Sequence, residues 1–229
     1  MEDKDPQFCP IAQAADIVTE SWTPLILREA LMGSHRFNEF KRAIPQISPS
    51  TLSRRLTTLT EAGILEKSSS RDDARGLEYH LTEAGEELRP VIIELGKWGI
   101  RWVRRKANLG KHDAAAMMWD MKRCVDAEVL PDERFVVKIE IRGVEKRARD
   151  WWLLFEEDGN TDLCLQPPGH DVALKVVATM ETWADVWLGH RPIHEAIDGG
   201  DMRLEGDRLL QDSIEDWIGL SVLAPTPRP

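Results

Sequence analysis

The stretch "ISPSTLSRRLTTLTEAGIL", residues 47–65, decides how this chain is read. Ser48 before Pro49 is a cap and first-turn pair: the serine oxygen can accept an amide that the first helical turn leaves unpartnered, and proline has no amide to satisfy there. Leu52, Leu56 and Leu59 then recur at i, i+4 and i+7, the spacing of one buried helix face. At about 100° per residue, Ser50, Arg54 and Thr57 fall on the opposite face. Thr51 and Thr58 flank that face, and Arg55 lies nearer the buried edge. Gly63 ends the helix as a left-handed cap requires.

The surroundings extend the pattern. Upstream, "RFNEFKRAI" (36–44) supplies a short helix with Phe37 and Phe40 inward, joined to the first stretch through "PQIS". Downstream, "GILEKSSSRDDARGLEYHLT" (63–82) reads as a hairpin, with Ile64 and Leu65 leading in and Leu77, Tyr79 and Leu81 alternating on the way out. Two short helices with a tight link, followed by a hairpin, predict a winged helix-turn-helix. Small hydroxyl side chains let a helix backbone approach base edges, and a guanidinium reaches guanine or phosphate oxygens. Ser48, Ser50, Thr51, Arg54 and Thr58 are therefore the expected DNA contacts, with Arg55 reaching a phosphate sideways. In the hairpin, Arg71 and Arg75 flank "DDA" and can enter a minor groove or clamp its phosphates, whereas Asp72 and Asp73 oppose this unless they turn toward the arginines.

A formal net charge of -10 does not veto DNA binding. Residues 1–107 hold as many basic as acidic residues, so the acidic excess lies beyond them, and affinity depends on where cations point more than on their sum. No apolar run approaches the roughly 20 residues that span a bilayer, and the acidic start "MEDKDPQFCPIAQ" lacks the regions of a signal peptide. We expect a cytoplasmic protein with no membrane partner. Three widely spaced cysteines, Cys9, Cys124 and Cys164, form no disulfide framework or zinc pattern.

Next, "TEAGEELRPVIIELGKWGIRWVRRKA" (82–107) reads as a long helix capped by Thr82, with Leu88, Val91, Ile92, Leu95, Trp98 and Trp102 on one stripe. Pro90 implies a kink or a later onset. We place the winged-helix domain at 1–107, all-α with a small β-wing, a linker at 108–114, and a second domain at 115–229. There a helix over about 113–129 precedes "RFVVKIEIRG", "WWLLFE", an Asp158–Gly159 turn, "DLCLQ" and "DVALKVVAT", all strand-like. Amphipathic helices follow, one carrying Met180, Trp183, Ala184, Trp187 and Leu188, the other Leu210, Ile214, Trp217 and Ile218. The second domain is expected to be α+β, built on an antiparallel sheet.

Residues 21–70 and 77–99, from "SWTPLILREALMGSHRFNEF" to "LEYHLTEAGEELRPVIIELGKWG", resemble the HxlR family of bacterial winged-helix regulators, relatives of MarR proteins. The resemblance covers about residues 9–105 and includes the cysteine before proline at Cys9, the "RF" opening the second helix and the "YxLTxxG" ending the wing. This chain has "ESW" at 20–22 where the family has "GKW", which removes a cation near the DNA side, and the basic residue ahead of the wing appears as Lys67, shifted by one position. The resemblance implies a homodimer joined through terminal helices, with Leu88, Ile92, Leu95, Trp98 and Trp102 as its seam, although the same residues could pack within their own domain. It also implies a palindromic operator of double-stranded DNA with half-sites about 10 bp apart or a multiple of that.

"TWADVWLGHRPIHEAIDGGDMRLEGDRLLQDSIEDWIG" (182–219) resembles the end of sterol carrier protein type 2 domains. That likeness implies a cavity between sheet and helices for a small apolar ligand, with Trp151, Leu153, Phe155, Trp183 and Trp187 as lining; alternatively the tryptophans are packing and the domain braces the dimer. Cys9 has two readings, an oxidant-sensing thiol or a buried structural one. No GxSxG, HExxH or GxxxxGK[ST] occurs, and Pro192 interrupts His190 and His194, so neither an enzyme nor a metal or cofactor site is expected. The sequence thus points to a DNA-binding regulator controlled by a ligand. The alternative is a small-molecule carrier whose winged helix mediates protein contacts.

Overall fold

The computed structural model describes residues 8–69, 76–103, 111–224 and 226, with side chains of the helix starting at residue 111 described from Ala114. Prolines open several of the early helices. α1 (Pro10–Val18), α2 (Thr23–Leu31) and α4 (Pro49–Glu61) each carry one in the first turn, where the missing amide costs nothing. α3 (Phe37–Ala43) starts differently: the Glu39 carboxylate accepts the amides of His35 at 2.7 Å and Arg36 at 2.9 Å. Leu52, Leu56 and Leu59 are buried with Ile26, Leu27, Phe40, Ile44 and Ile47 in one apolar core. The leucine stripe thereby fixes which face of α4 turns outward.

Gly63, at φ +70°, ends α4 and lets the chain enter β1 (Leu65–Ser69), which pairs antiparallel with β2 (Leu77–Leu81) from Leu65↔Leu81 to Ser69↔Leu77. Arg36 bridges to Glu78, and the Tyr79 amide donates to the His35 carbonyl at 2.8 Å, so the segment before α3 adds a short third rung to this hairpin. Thr82 caps α5 (Glu83–Glu86) by accepting the Gly85 amide at 3.2 Å, and its hydroxyl donates to the Gly63 carbonyl at 2.6 Å. A side chain at Gly85 would collide with the Ile64 carbonyl oxygen, which explains the glycine of the "YxLTxxG" run. The single long helix expected from Thr82 is broken: α6 (Arg89–Trp102) begins afresh, with Pro90 in its first turn.

The chain divides into two compact units between Trp98 and Gly99, within α6. The second unit comprises α7 (Lys111–Cys124), β3 (Phe135–Arg142), β4 (Asp150–Phe155), β5 (Thr161–Cys164), β6 (Val172–Thr179), α8 (Met180–Trp187), α9 (Ile193–Asp198), β7 (Met202–Gly206), α10 (Arg208–Asp212) and α11 (Ile214–Trp217). Its strands lie in the order β5-β4-β3-β6-β7. The expectation of an antiparallel sheet needs correction: β3 and β6 are parallel at the centre, and the other pairs are antiparallel. The reason is topological. β3, β4 and β5 form a meander that leaves one edge of β3 open, and residues 165–171 carry the chain back to that edge in the direction of β3. Alternation in sequence reports a strand's faces and is silent on its direction.

The faces agree with the alternation. Val137, Ile139 and Ile141, with Trp151, Leu153 and Phe155 of β4 and Leu174, Val176 and Ala178 of β6, point into a core shared with Met118, Met121, Trp183 and Trp217. The opposite face is charged and cross-paired, with Lys138 bound to Asp150 at 2.8 Å and Lys175 to Glu140 at 3.2 Å. The helix expected to reach 129 ends at Cys124, after which Asp126 caps a short 3-10 turn over Ala127–Val129. Ser213 likewise separates α10 from α11, where one helix was expected.

Candidate nucleic-acid interface

Ser48, at the entrance to α4, accepts the Thr51 amide at 3.1 Å and donates to the Thr51 hydroxyl at 2.8 Å, with the Ser50 hydroxyl 3.1 Å away. This knot of three hydroxyls opens the helix with Ser48 and Ser50 exposed and Thr51 half-buried. One turn on, Ser53, Arg54, Thr57 and Thr58 are exposed. The Thr58 hydroxyl is occupied by the Arg54 carbonyl of its own helix at 3.1 Å, which lowers its availability to an outside partner. The Arg54 guanidinium has no hydrogen-bond or ion-pair partner among the described residues. Ser53 belongs to the same face as Ser50, Arg54 and Thr57 but was not singled out from sequence. The i, i+3 and i+4 spacing around Ser50 and Ser53 already contains it.

Arg55 is placed quite differently. Its Nε donates to the Ser21 carbonyl at 3.1 Å and its guanidinium pairs with the Glu20 carboxylate, leaving the side chain 12% exposed. No local spacing around Arg55 signals this partner, which lies in the turn between α1 and α2. In that turn Trp22 adopts φ 74°, a left-handed backbone that is uncommon for a bulky residue, while its ring packs partly buried against the first core.

The wing rests on a buried base. Glu29 at the end of α2 is fully buried; its carboxylate pairs with Arg28 and accepts the Ser34 hydroxyl at 3.3 Å. Next to it, Arg36 holds Glu78 of β2 at 3.0 Å, and the His35 and His80 rings stack with centroids 5.0 Å apart. Arg71 and Arg75, the expected wing contacts, lie outside the described residues, as do residues 108–110 of the expected linker, whereas its remainder from Lys111 belongs to α7.

The expected dimer seam separates into two sets. Leu88 and Ile92 pack against the first unit's own core, whereas Leu95 is exposed, as are Trp98 at 57% and Trp102 at 62%. Cys9 is exposed at the cap of α1, which removes the buried structural reading. Burial raises the Cys124 thiol above its ordinary range, with Asp120 adding to the effect, and does the same at Cys164, where Asp162 adds.

In the second unit, Trp151, Leu153, Phe155, Trp183 and Trp187, the expected cavity lining, are all packed in the core. The Trp151 indole donates to the Ala148 carbonyl at 2.7 Å, and Phe155 stacks on Phe135 with centroids 4.6 Å apart. A pocket of about 350 Å³ lies instead beside α9 and α11, lined by Pro192, Ile193, Ile218 and Leu220 together with Arg191, His194 and Glu215. Its polar groups are already engaged: His194 Nδ1 lies 2.7 Å from Glu215, and Arg191 binds Asp201 at 2.8 Å. That hydrogen bond holds the His194 pKa above its usual range and the Glu215 carboxyl below its own. Among the described residues no three His, Cys, Asp or Glu side chains are grouped to hold a metal ion, and no helix is long and apolar enough to cross a membrane.

Comparison with known proteins agrees with this geometry. Residues 17–107 match the model of the HxlR-like helix-turn-helix. The uncharacterized HTH-type transcriptional regulator YvaP of Bacillus subtilis is 35% identical over 98 residues, which span 42% of this chain and 91% of that protein. The uncharacterized HTH-type transcriptional regulator Mb3122 of Mycobacterium bovis is 40% identical over 95 residues, 42% of this chain and 60% of that one. Among solved structures, the reduced form of the transcriptional regulator YodB from B. subtilis is 29% identical, with a TM-score of 0.38 over 43% of this chain and 97% of that one. With a buried leucine stripe, an outward face of hydroxyls and Arg54, and a hairpin behind them, the chain belongs to the HxlR-like helix-turn-helix family.

Proposed function

We propose that this protein is a DNA-binding transcriptional regulator that sets α4 into a major groove, with Ser50, Thr51 and Arg54 at base edges. The observation that carries this reading is the Arg54 guanidinium, unpartnered among the described residues, on an exposed hydroxyl-rich face whose orientation the buried leucines fix. A forked donor held outward on a rigid helix supplies the two parallel hydrogen bonds that guanine presents. Ser48 and the Ser50 amide at the entrance to α4 serve a phosphate, and Arg71 and Arg75 reach the neighbouring minor groove. The relatives' names as HTH-type transcriptional regulators support the same role.

The functional unit is a homodimer. Leu95, Trp98 and Trp102 are large apolar side chains left exposed on α6, and covering them with a second copy removes them from water. A two-fold dimer presents two α4 helices to a palindromic operator with half-sites about one helical turn apart. The second unit, sterol-carrier-like in our reading, senses a small apolar molecule in the pocket by α9 and α11, where Ile193, Ile218 and Leu220 supply the apolar wall.

Gel-shift titration against the DNA upstream of its own gene tests the regulator role. Selective retardation that survives excess unrelated DNA supports it, and no selective shift at micromolar protein overturns it. Sedimentation of the parent and Trp98→Glu tests the dimer: the parent sediments as a dimer and the variant as a monomer, and equal behaviour removes α6 from the interface.

A further inference from the structure

Arg54 and Arg55 are chain neighbours with opposite surroundings, and the difference lies in two residues far away in sequence. Arg54, on the exposed face of α4, has no side-chain partner among the described residues. Arg55, rotated by about 100° toward the α1–α2 turn, is bound by Glu20 through its guanidinium and by the Ser21 carbonyl through Nε at 3.1 Å. Glu20 remains 45% exposed while Arg55 is 12% exposed, so the carboxylate forms the solvent side of the pair. The turn that presents it is fixed by Trp22 in a left-handed conformation with its ring against the core. The carboxylate is therefore built into position.

We propose that Glu20 acts as an internal competitor for DNA phosphate: it holds Arg55 back from the backbone beside the reading face and places a negative charge there, lowering operator affinity. The inference rests on the reading of α4 as the DNA-binding helix. A carboxylate and a phosphate oxygen make the same charge-assisted hydrogen bonds to a guanidinium, so occupation by one excludes the other. A free Arg55 adds one cation to the phosphate contacts, and each such contact steepens the salt dependence of binding by about 0.9 in the log–log slope.

The test is a fluorescence-anisotropy titration of the upstream DNA at several salt concentrations, using the full-length parent, Glu20→Gln, Arg55→Ala and the double variant, each with its melting temperature. Glu20→Gln is expected to bind roughly three- to tenfold more tightly at ~0.1 M salt with a slope steeper by about 0.9. Arg55→Ala alone should change affinity little, and adding it to Glu20→Gln should abolish the gain. If Glu20→Gln binds no more tightly than the parent, or the gain persists without Arg55, the competitor role is overturned and the pair is only a rivet between helices. Failure of both parent and Glu20→Gln to bind this DNA selectively overturns the α4 reading itself, an outcome distinct from the first.

Discussion

The exposed face of α4 and the outer face of the second unit's sheet both carry cations, but they treat them differently. On the sheet, Lys138 pairs with Asp150 and Lys175 with Glu140 and Glu205 across strands, and Arg142 pairs with Glu140 along β3, while Arg203 of β7 has no ion pair among the described residues. Lys138 also lies 5.4 Å over the Trp152 ring. On α4, Arg55 is matched, and Arg54 has no partner among the described residues. Where a surface charge already has a neighbour of opposite sign, little is gained by docking something else. A charge left unpaired on a rigid helix beside hydroxyls invites an outside anion. The acidic surplus of this chain is compatible with the proposed DNA-binding face because it lies beyond residue 107.

The contrast can be broken at its foundation first. Leu56→Ala, at a fully buried position under α4, should cost about 2–5 kcal/mol in the unfolding of the first unit, measured by urea denaturation. A loss below about 0.5 kcal/mol would mean that the stripe does not anchor the helix. Arg54→Ala should leave the melting temperature unchanged and weaken selective DNA binding by about 1–3 kcal/mol, seen by anisotropy. Lys138→Ala, on the self-paired face, should lower stability by no more than about 1 kcal/mol and leave DNA affinity as it was. A substantial loss of DNA binding there would erase the distinction between the two faces.

The smallest effect concerns pH. Bonding to Glu215 raises the His194 pKa in the folded chain, with Glu195 and Asp198 adding to it. The stabilisation is complete below the ordinary histidine pKa and disappears as pH rises through the raised folded value. Melting of the parent and His194→Ala should therefore differ slightly at about pH 5 and converge by about pH 9. A difference that grows with pH would contradict the assignment.

Much of the first unit was legible because its signals are local. The i, i+4, i+7 leucines, Ser48 with Pro49, and Gly63 each act within a few residues of themselves, and their structural consequences appear where the spacing puts them. Ser53 was legible by the same period. Glu20 was not, because its role arises only when the α1–α2 turn is folded against α4, more than thirty residues on. In the second unit, alternation revealed strand faces such as Val137, Ile139 and Ile141, while the parallel pairing of β3 with β6 depends on where a connection crosses. The misplaced pocket has a related cause. Tryptophans at core spacing read alike whether they line a cavity or fill it, and here Trp151, Trp183 and Trp187 fill it.

In the proposed role, α4 reads DNA through Arg54, which is unpaired among the described residues. The most direct measurement compares anisotropy titrations of the parent, Arg54→Ala and Lys138→Ala on the upstream DNA and on a scrambled duplex of equal length. The account predicts that Arg54→Ala loses about 10- to 100-fold on the upstream DNA and much less on the scrambled one, while Lys138→Ala follows the parent on both. Equal losses for the two variants, or an Arg54→Ala protein that keeps the parent's preference for the upstream sequence, would contradict it.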